Sequence, residues 1–242
     1  MVWQGSRCVV SLALLQPHFA PDLHDLAMML RAGRVVLQDL DPWSRKGRVH
    51  RAQIRTPEGI TWVHIPVLKE ETEMPIYKVR IDQSRDWAAP LMRSLEFNYR
   101  NSLYFDFYEP ELWELLRQGR EEEFLLPLNR RFRRFLFRYL ELERDLKSKI
   151  SFASEQLTAS GDPKLSGPVQ PEPEEDVVWQ EHDSRNYMRP SEQRTDFTFT
   201  HPEYRQHFDG FSPGCSLLDL LFQYGPESFR ITDRLIDSSP LQ

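Results

Sequence analysis

The chain has 242 residues, 40% apolar, 28% charged and 12% aromatic, a globular balance with length enough for a substantial core. Its net charge of −6 argues against a general nucleic-acid binder, while leaving room for a local basic patch. Two cysteines, Cys8 and Cys215, can build neither a disulfide framework nor a four-cysteine zinc site.

The first element is the run Arg7 to Leu15, nearly all apolar and with two adjacent valines. It reads as a strand buried on both faces, which points to a parallel or mixed sheet. It is too short to span a membrane and lacks the flanks of a secretory signal, so a reducing cytoplasm is the expected location. Gln16-Pro17-His18-Phe19-Ala20-Pro21 ends it. Asp22 with Asp25 three residues on reads as a helix start, with Leu23, Leu26, Ala27 and Leu30 on one face. Arg34 to Asp39 is a second short strand, which completes a right-handed βαβ unit. From Val49 the pattern turns antiparallel. Val49 to Arg55 and Ile60 to Val67 flank the turn Thr56-Pro57-Glu58-Gly59, and a further strand is expected at Ile76 to Ile81.

Helices are expected from about Asp86 to Tyr99, from Pro110 to near Gly119, and from about Leu128 to Lys147. The arginines of Asn129-Arg-Arg-Phe-Arg-Arg134 read as the wet face of the last one. Residues from about 154 to 194 are rich in Pro, Gly and acid, so they read as a probable flexible segment interrupting one domain over 1–242. The alternating strand Thr195 to Thr200 follows. Ser216 and Asp219 then read as the capping box of a helix that Gly225-Pro226 ends. The expected class is α/β, a mixed sheet with an N-terminal βαβ unit, an antiparallel hairpin and a mostly helical middle segment.

The common catalytic fingerprints are absent: no phosphate-binding glycine loop, dinucleotide motif, nucleophile elbow or paired-histidine zinc helix. Candidate chemistry comes from position instead. Gln16-Pro17-His18 lies past the C-terminal end of a buried strand and before a helix N-terminus, where α/β sheets bind ligands and helix amides favour anions. His18 there is a candidate acid or base, against the plainer reading of a loop histidine. Asp39-Leu40-Asp41 ends the next strand and has the spacing of a metal-bridging carboxylate pair, a match that chance also supplies, so no metal is assigned. In Arg45-Lys46-Gly47-Arg48 the arginine Arg48 reads as solvated, whereas Arg51, inside a strand, is placed to hold an anion. Tyr204 and Gln206, in His201-Pro-Glu-Tyr-Arg-Gln-His207, are candidate polar anchors. Cys215, preceding a helix, reads as a moderately activated thiol.

Taken in order, Leu15-Gln-Pro-His-Phe-Ala-Pro21, Val35-Val-Leu-Gln-Asp39, His50-Arg51, Gly59-Ile-Thr-Trp-Val-His-Ile-Pro66, His201-Pro-Glu-Tyr-Arg-Gln206 and Phe211 to Phe222 with Gly225 resemble the WbqC-like bacterial family. Gln16, Pro17, Pro21, Asp39, Arg51, Trp62, Pro66, Tyr204, Gln206, Ser216, Asp219 and Gly225 agree with its pattern. Leu40, Pro42 and His50 depart from it, standing where the family has Asp, Gln and Asn, so substrate choice or activity is in question there. The resemblance implies a role in surface-polysaccharide (O-antigen) biosynthesis, as a transferase that modifies a sugar or nucleotide-linked sugar by acyl or aminoacyl transfer.

The leading expectation is a cytoplasmic transferase with a phosphate-bearing small-molecule donor or acceptor. Catalysis is assigned to His18 and Asp39, and substrate binding to Gln16, Arg51, Tyr204 and Gln206, all lining one pocket. The alternative is a non-catalytic binding or scaffold protein that docks a partner enzyme. The residues leave the cofactor and the oligomeric state unknown.

Overall fold

The computed structural model describes residues 10–155, 175–180 and 199–237. Strand β1 (Val10–Leu15), helix α1 (Leu23–Arg31) and strand β2 (Arg34–Leu37) form the expected βαβ unit, with Leu12 to Leu15 paired in parallel to Arg34 to Leu37. Cys8 lies outside the described residues. α1 starts where its sequence says it should. The Asp22 side chain accepts from the Asp25 amide, the Asp25 side chain from the Asp22 amide, and Leu23, Leu26 and Ala27 turn into the core.

The hairpin β3 (Arg51–Thr56) and β4 (Gly59–His64) stands as its own two-stranded sheet, with Thr56 opposite Gly59 across the turn. No strand forms at Ile76 to Ile81. Ile76–Lys78 is a single 3-10 turn, and Arg80 and Ile81 make only isolated bridges, to Phe124 and Val67. Pro75 sets that turn up, because Lys78 donates back to its carbonyl while Tyr77 donates to that of Asp39.

The helical middle comprises α2 (Ala88–Tyr99), α3 (Phe105–Gly119), α4 (Leu125–Tyr139) and the short α5 (Glu143–Leu146). The expected helix to Lys147 is two pieces because Glu141 takes a left-handed conformation, φ 59°. β5 (Ile150–Phe152) then pairs in parallel with β2.

Of the stretch expected to be poor in regular structure, residues 156–174 and 181–194 lie outside the described residues, and 175–180 form β6 (Glu175–Gln180), parallel to β1. Its Val-Val-Trp core is β-forming on its own, and the surrounding prolines and acids hide it. Among the described residues the main sheet therefore has four strands in the order β5-β2-β1-β6, all parallel. All four C-terminal ends reach one edge. Of the expected strand Thr195 to Thr200, residues 195 to 198 lie outside the described residues, and Phe199 and Thr200 are not in a strand.

α6 (Leu217–Tyr224) and α7 (Phe229–Asp237) close the chain. Ala13, Leu15, Val35 and Leu37 join the main core with α1, α4 and α6, whereas Leu12, Leu14 and Val36 pack with Ala153 and Leu40 on the other sheet face. Among the described residues no helix is long and apolar enough to cross a membrane.

Candidate functional site

The loop after β1 carries His18 to the sheet's C-terminal edge and onto the first turn of α1. His18 Nδ1 and Asp25 Oδ2 are 3.0 Å apart, with both side chains almost fully buried. Asp25 is clamped from the other side by Arg48, whose Nη2 reaches Oδ1 at 2.8 Å and whose Nη1 reaches Oδ2 at 2.9 Å and Asp22 Oδ2 at 2.8 Å. Burial alone raises the Asp25 carboxyl's pKa. The Arg48 and His18 charges outweigh it and hold Asp25 well below the usual carboxylate range. With Asp25 ionised, Nδ1–H of His18 donates to it.

Arg48, read from sequence as solvated, is thus an interior ion pair, and the basic run gave no sign of its partners. Asp22, His24 and Asp25 bring ligand atoms within 4.8 Å of one another, a geometry that suits a cation. Arg48 already bonds both carboxylates there.

The other predicted residues fall in separate places. Asp39 is fully buried and both its oxygens are taken. Oδ1 accepts from the Ser154 amide at 2.9 Å and Oδ2 from the Ser154 hydroxyl at 2.5 Å, which ties the ends of β2 and β5 together. Gln16 is buried, with its amide 3.3 Å from Asp41 Oδ2. Arg51 donates to the carbonyls of Gly47 and Lys46 and lies over the Trp62 ring, 4.1 Å from its centroid. That ring faces a cavity of about 600 Å³ between β4 and the start of α2, which His64, Asp82, Asp86 and Trp87 also line. Arg51 thus backs that cavity through the Trp62 ring.

Tyr204 and Gln206 converge on Asp219. This carboxylate is fully buried and accepts from Tyr99 Oη at 2.9 Å, Tyr204 Oη at 2.7 Å and Gln206 Nε2 at 3.1 Å. Tyr99 Oη in turn accepts the Arg55 amide at 2.8 Å, so β3, α2, α6 and the Tyr204 segment meet on one side chain. Burial raises the Asp219 pKa, and the three donors only partly offset it.

The expected capping box is absent. Ser216 makes no side-chain cap, and α6 starts on backbone bonds from the Ser216 amide to Gln53 and from the Leu217 amide to Pro21. Cys215 is likewise not activated. It is buried, and that burial, together with the Asp219 charge, pushes its thiol pKa well up.

The bridge between Asp22 and Ser216 brings the two motif-bearing ends of the chain together. None of the six predicted residues lines the cavity at Trp62 or a second one, of about 490 Å³, beside α4. Sequence reasoning missed Asp25, Arg48 and Asn129. Asn129 is buried in α4, and its amide donates to the carbonyls of Pro17 at 3.0 Å and Val49 at 2.7 Å, which fixes the His18 loop. Nothing local to any of these three announces a partner far along the chain.

Among known proteins, the uncharacterized protein Rv1507c of Mycobacterium tuberculosis (strain ATCC 25618 / H37Rv) is 25% identical over 228 residues, covering 89% of this chain and 94% of the relative. No solved structure matches. The model of the WbqC-like protein family matches residues 16–231, which hold the His18–Asp25–Arg48 cluster, Asp39 and the Asp219 network, and the chain belongs to that family.

Proposed function

We propose that this chain is a transferase that modifies a sugar or nucleotide-linked sugar in surface-polysaccharide synthesis, by acyl or aminoacyl transfer in the cytoplasm. The observation that carries the reading is the His18–Asp25 pair at the C-terminal end of β1, with Asp25 locked by Arg48. Transfer to a sugar hydroxyl or amine needs a group that removes a proton near neutral pH. An imidazole oriented through Nδ1 by an ionised carboxylate meets that need once it has released its own proton. His18 is the base in this reading, Asp25 is its positioning residue, and Arg48 keeps Asp25 ionised. Asp39 is left out of the chemistry, because Ser154 takes both of its oxygens.

The test is product formation by the purified protein from nucleotide sugars and acyl or aminoacyl donors, read by mass. His18→Gln is expected to lower turnover about a hundredfold or more while leaving the unfolding midpoint near wild type. Undiminished turnover in that variant sinks the assignment.

One observation favours the binding or scaffold reading. Asp39, Tyr204 and Gln206 are all bonded to the chain's own groups, as a purely structural network would be. Ligand binding without turnover across the whole donor panel would decide for it.

A further inference from the structure

Helix α4 links the His18 loop to a second place. Its Asn129 holds Pro17 and its Phe132 packs on Phe19 at 4.4 Å, while the next turn of its surface faces β5. Between them lies the cavity of about 490 Å³, within the range of small-molecule sites. Arg130, Arg133, Arg134 and Lys147 line it, against one lining carboxylate, Glu143. Glu155 pairs with Arg130 at 3.0 Å, so four cations face two carboxylates in a chain whose net charge is −6.

The guanidiniums of Arg130 and Arg133 lie 3.6 and 5.0 Å from the centroid of the same ring, Phe152, which ends β5. Holding like charges this close is costly without a counter-charge. Among the described residues, Arg133, Arg134 and Lys147 make no ion pair. Burial and the neighbouring Arg130 charge, with a smaller push from Arg134, pull the Arg133 pKa down to about 10, and the nearby Glu155 carboxylate offsets this only in part. Phe137, Leu146 and Ile150 give the cavity apolar lining beside the guanidinium-covered Phe152 ring, so it offers both charge and hydrophobic side chains.

We infer that this cavity binds a nucleotide-sized phosphate ester, its phosphates held by Arg133, Arg134 and Lys147 and its apolar part laid against Phe137, Leu146 and Ile150. The guanidinium forks suit bidentate contacts to phosphate oxygens, and the surplus of two positive charges suits a diphosphate. The inference deepens the transferase reading by giving its phosphate-bearing substrate a seat on α4. It nevertheless stands or falls on binding alone.

The test is calorimetric titration of the full chain with UDP, GDP and inorganic diphosphate at low and high salt. At least one nucleoside diphosphate is expected to bind more tightly than inorganic diphosphate, because only it uses the apolar wall, and binding should weaken with salt. Arg133→Gln should weaken it at least tenfold, which is 1.4 kcal/mol. Lys147→Gln, on an exposed side chain that cannot disturb the fold, should weaken it several-fold. Arg117→Gln, whose parent residue pairs with Glu114 on the surface of α3, should change nothing.

His18→Gln should bind as wild type does. Loss of turnover in His18→Gln with binding intact separates the two proposals, and the cavity stands even if that variant stays active. No binding of any of the three probes at millimolar concentration, or binding unchanged in both Arg133→Gln and Lys147→Gln, overturns the inference.

Discussion

Two buried aspartates show how the surroundings of one residue type decide its effect. Asp25 is matched by a guanidinium and an imidazole, and its folded pKa is depressed. Its stabilisation is therefore present above the unfolded carboxylate value of about 4 and is lost as the pH falls through and below it. Asp219 is met only by neutral donors and its folded pKa is raised. The folded state then holds the proton more tightly than the unfolded one, so this group's contribution falls as pH rises from about 4.

Asp25→Asn should cost about 3–5 kcal/mol at pH 7, since it leaves Arg48 half-paired in the interior, and this cost should shrink progressively as the pH falls below about 4. Asp219→Asn should cost about 1–3 kcal/mol, with the opposite trend: the wild type's margin narrows as pH rises from about 4 towards 7. Urea midpoints across that range check both, and parallel trends would show that the two sites have been misread.

At the scale of elements, the readings that held were those whose cause is local. α1 carries its capping box within four residues, and the hairpin carries its turn between its strands. Ile76 to Ile81 has strand-like residues, but Pro75 turned it, and β6 was hidden because its neighbours dominate the composition. Ser216 and Asp219 have the spacing of a capping box, yet tertiary donors claimed the carboxylate. The site was legible as far as the His18 loop and no further, because Asp25, Arg48 and Asn129 act through contacts that sequence spacing does not encode.

Two substitutions test the elements. Gly225 ends α6 at φ +48°, and a Cβ there would meet the Tyr104 ring at 2.6 Å. Gly225→Ala should cost about 1–3 kcal/mol in thermal or urea unfolding, through both strain and overpacking. In α4, Asn129→Asp should destabilise more than Asn129→Ala, because it sets a carboxylate against two carbonyl oxygens instead of merely removing their donor. Equal effects would show that the amide does not carry the Pro17 loop.

Over the whole molecule, the polar interior is arranged to join distant parts. Tyr99 reaches Asp219 across 120 residues of sequence, and Arg31 donates to the Leu235 carbonyl across 204. The core near the His18 loop is shared between the βαβ unit, α4 and α6, with Phe19, Phe132 and Leu217 all buried within it. A fragment covering residues 1–155 is expected to lack a cooperative unfolding transition, although it holds the βαβ unit, the hairpin and four helices. A sharp two-state urea curve for that fragment would show that the C-terminal segment is an addition to an already complete fold.

The bridge between Asp22 and Ser216 also has a consequence for biosynthesis. The first strands leave the ribosome well before their loop receives its partners, the Leu217 amide and the Ser216 backbone, some 190 residues further along the chain. At translation rates of about 5–20 residues per second, the nascent chain spends on the order of ten seconds or more with this apolar loop uncovered. A premature stop before residue 216 would then yield a sticky, degradable product rather than a shorter working protein, and yield in the cell should depend on chaperone supply more steeply than the stability of the finished fold would suggest.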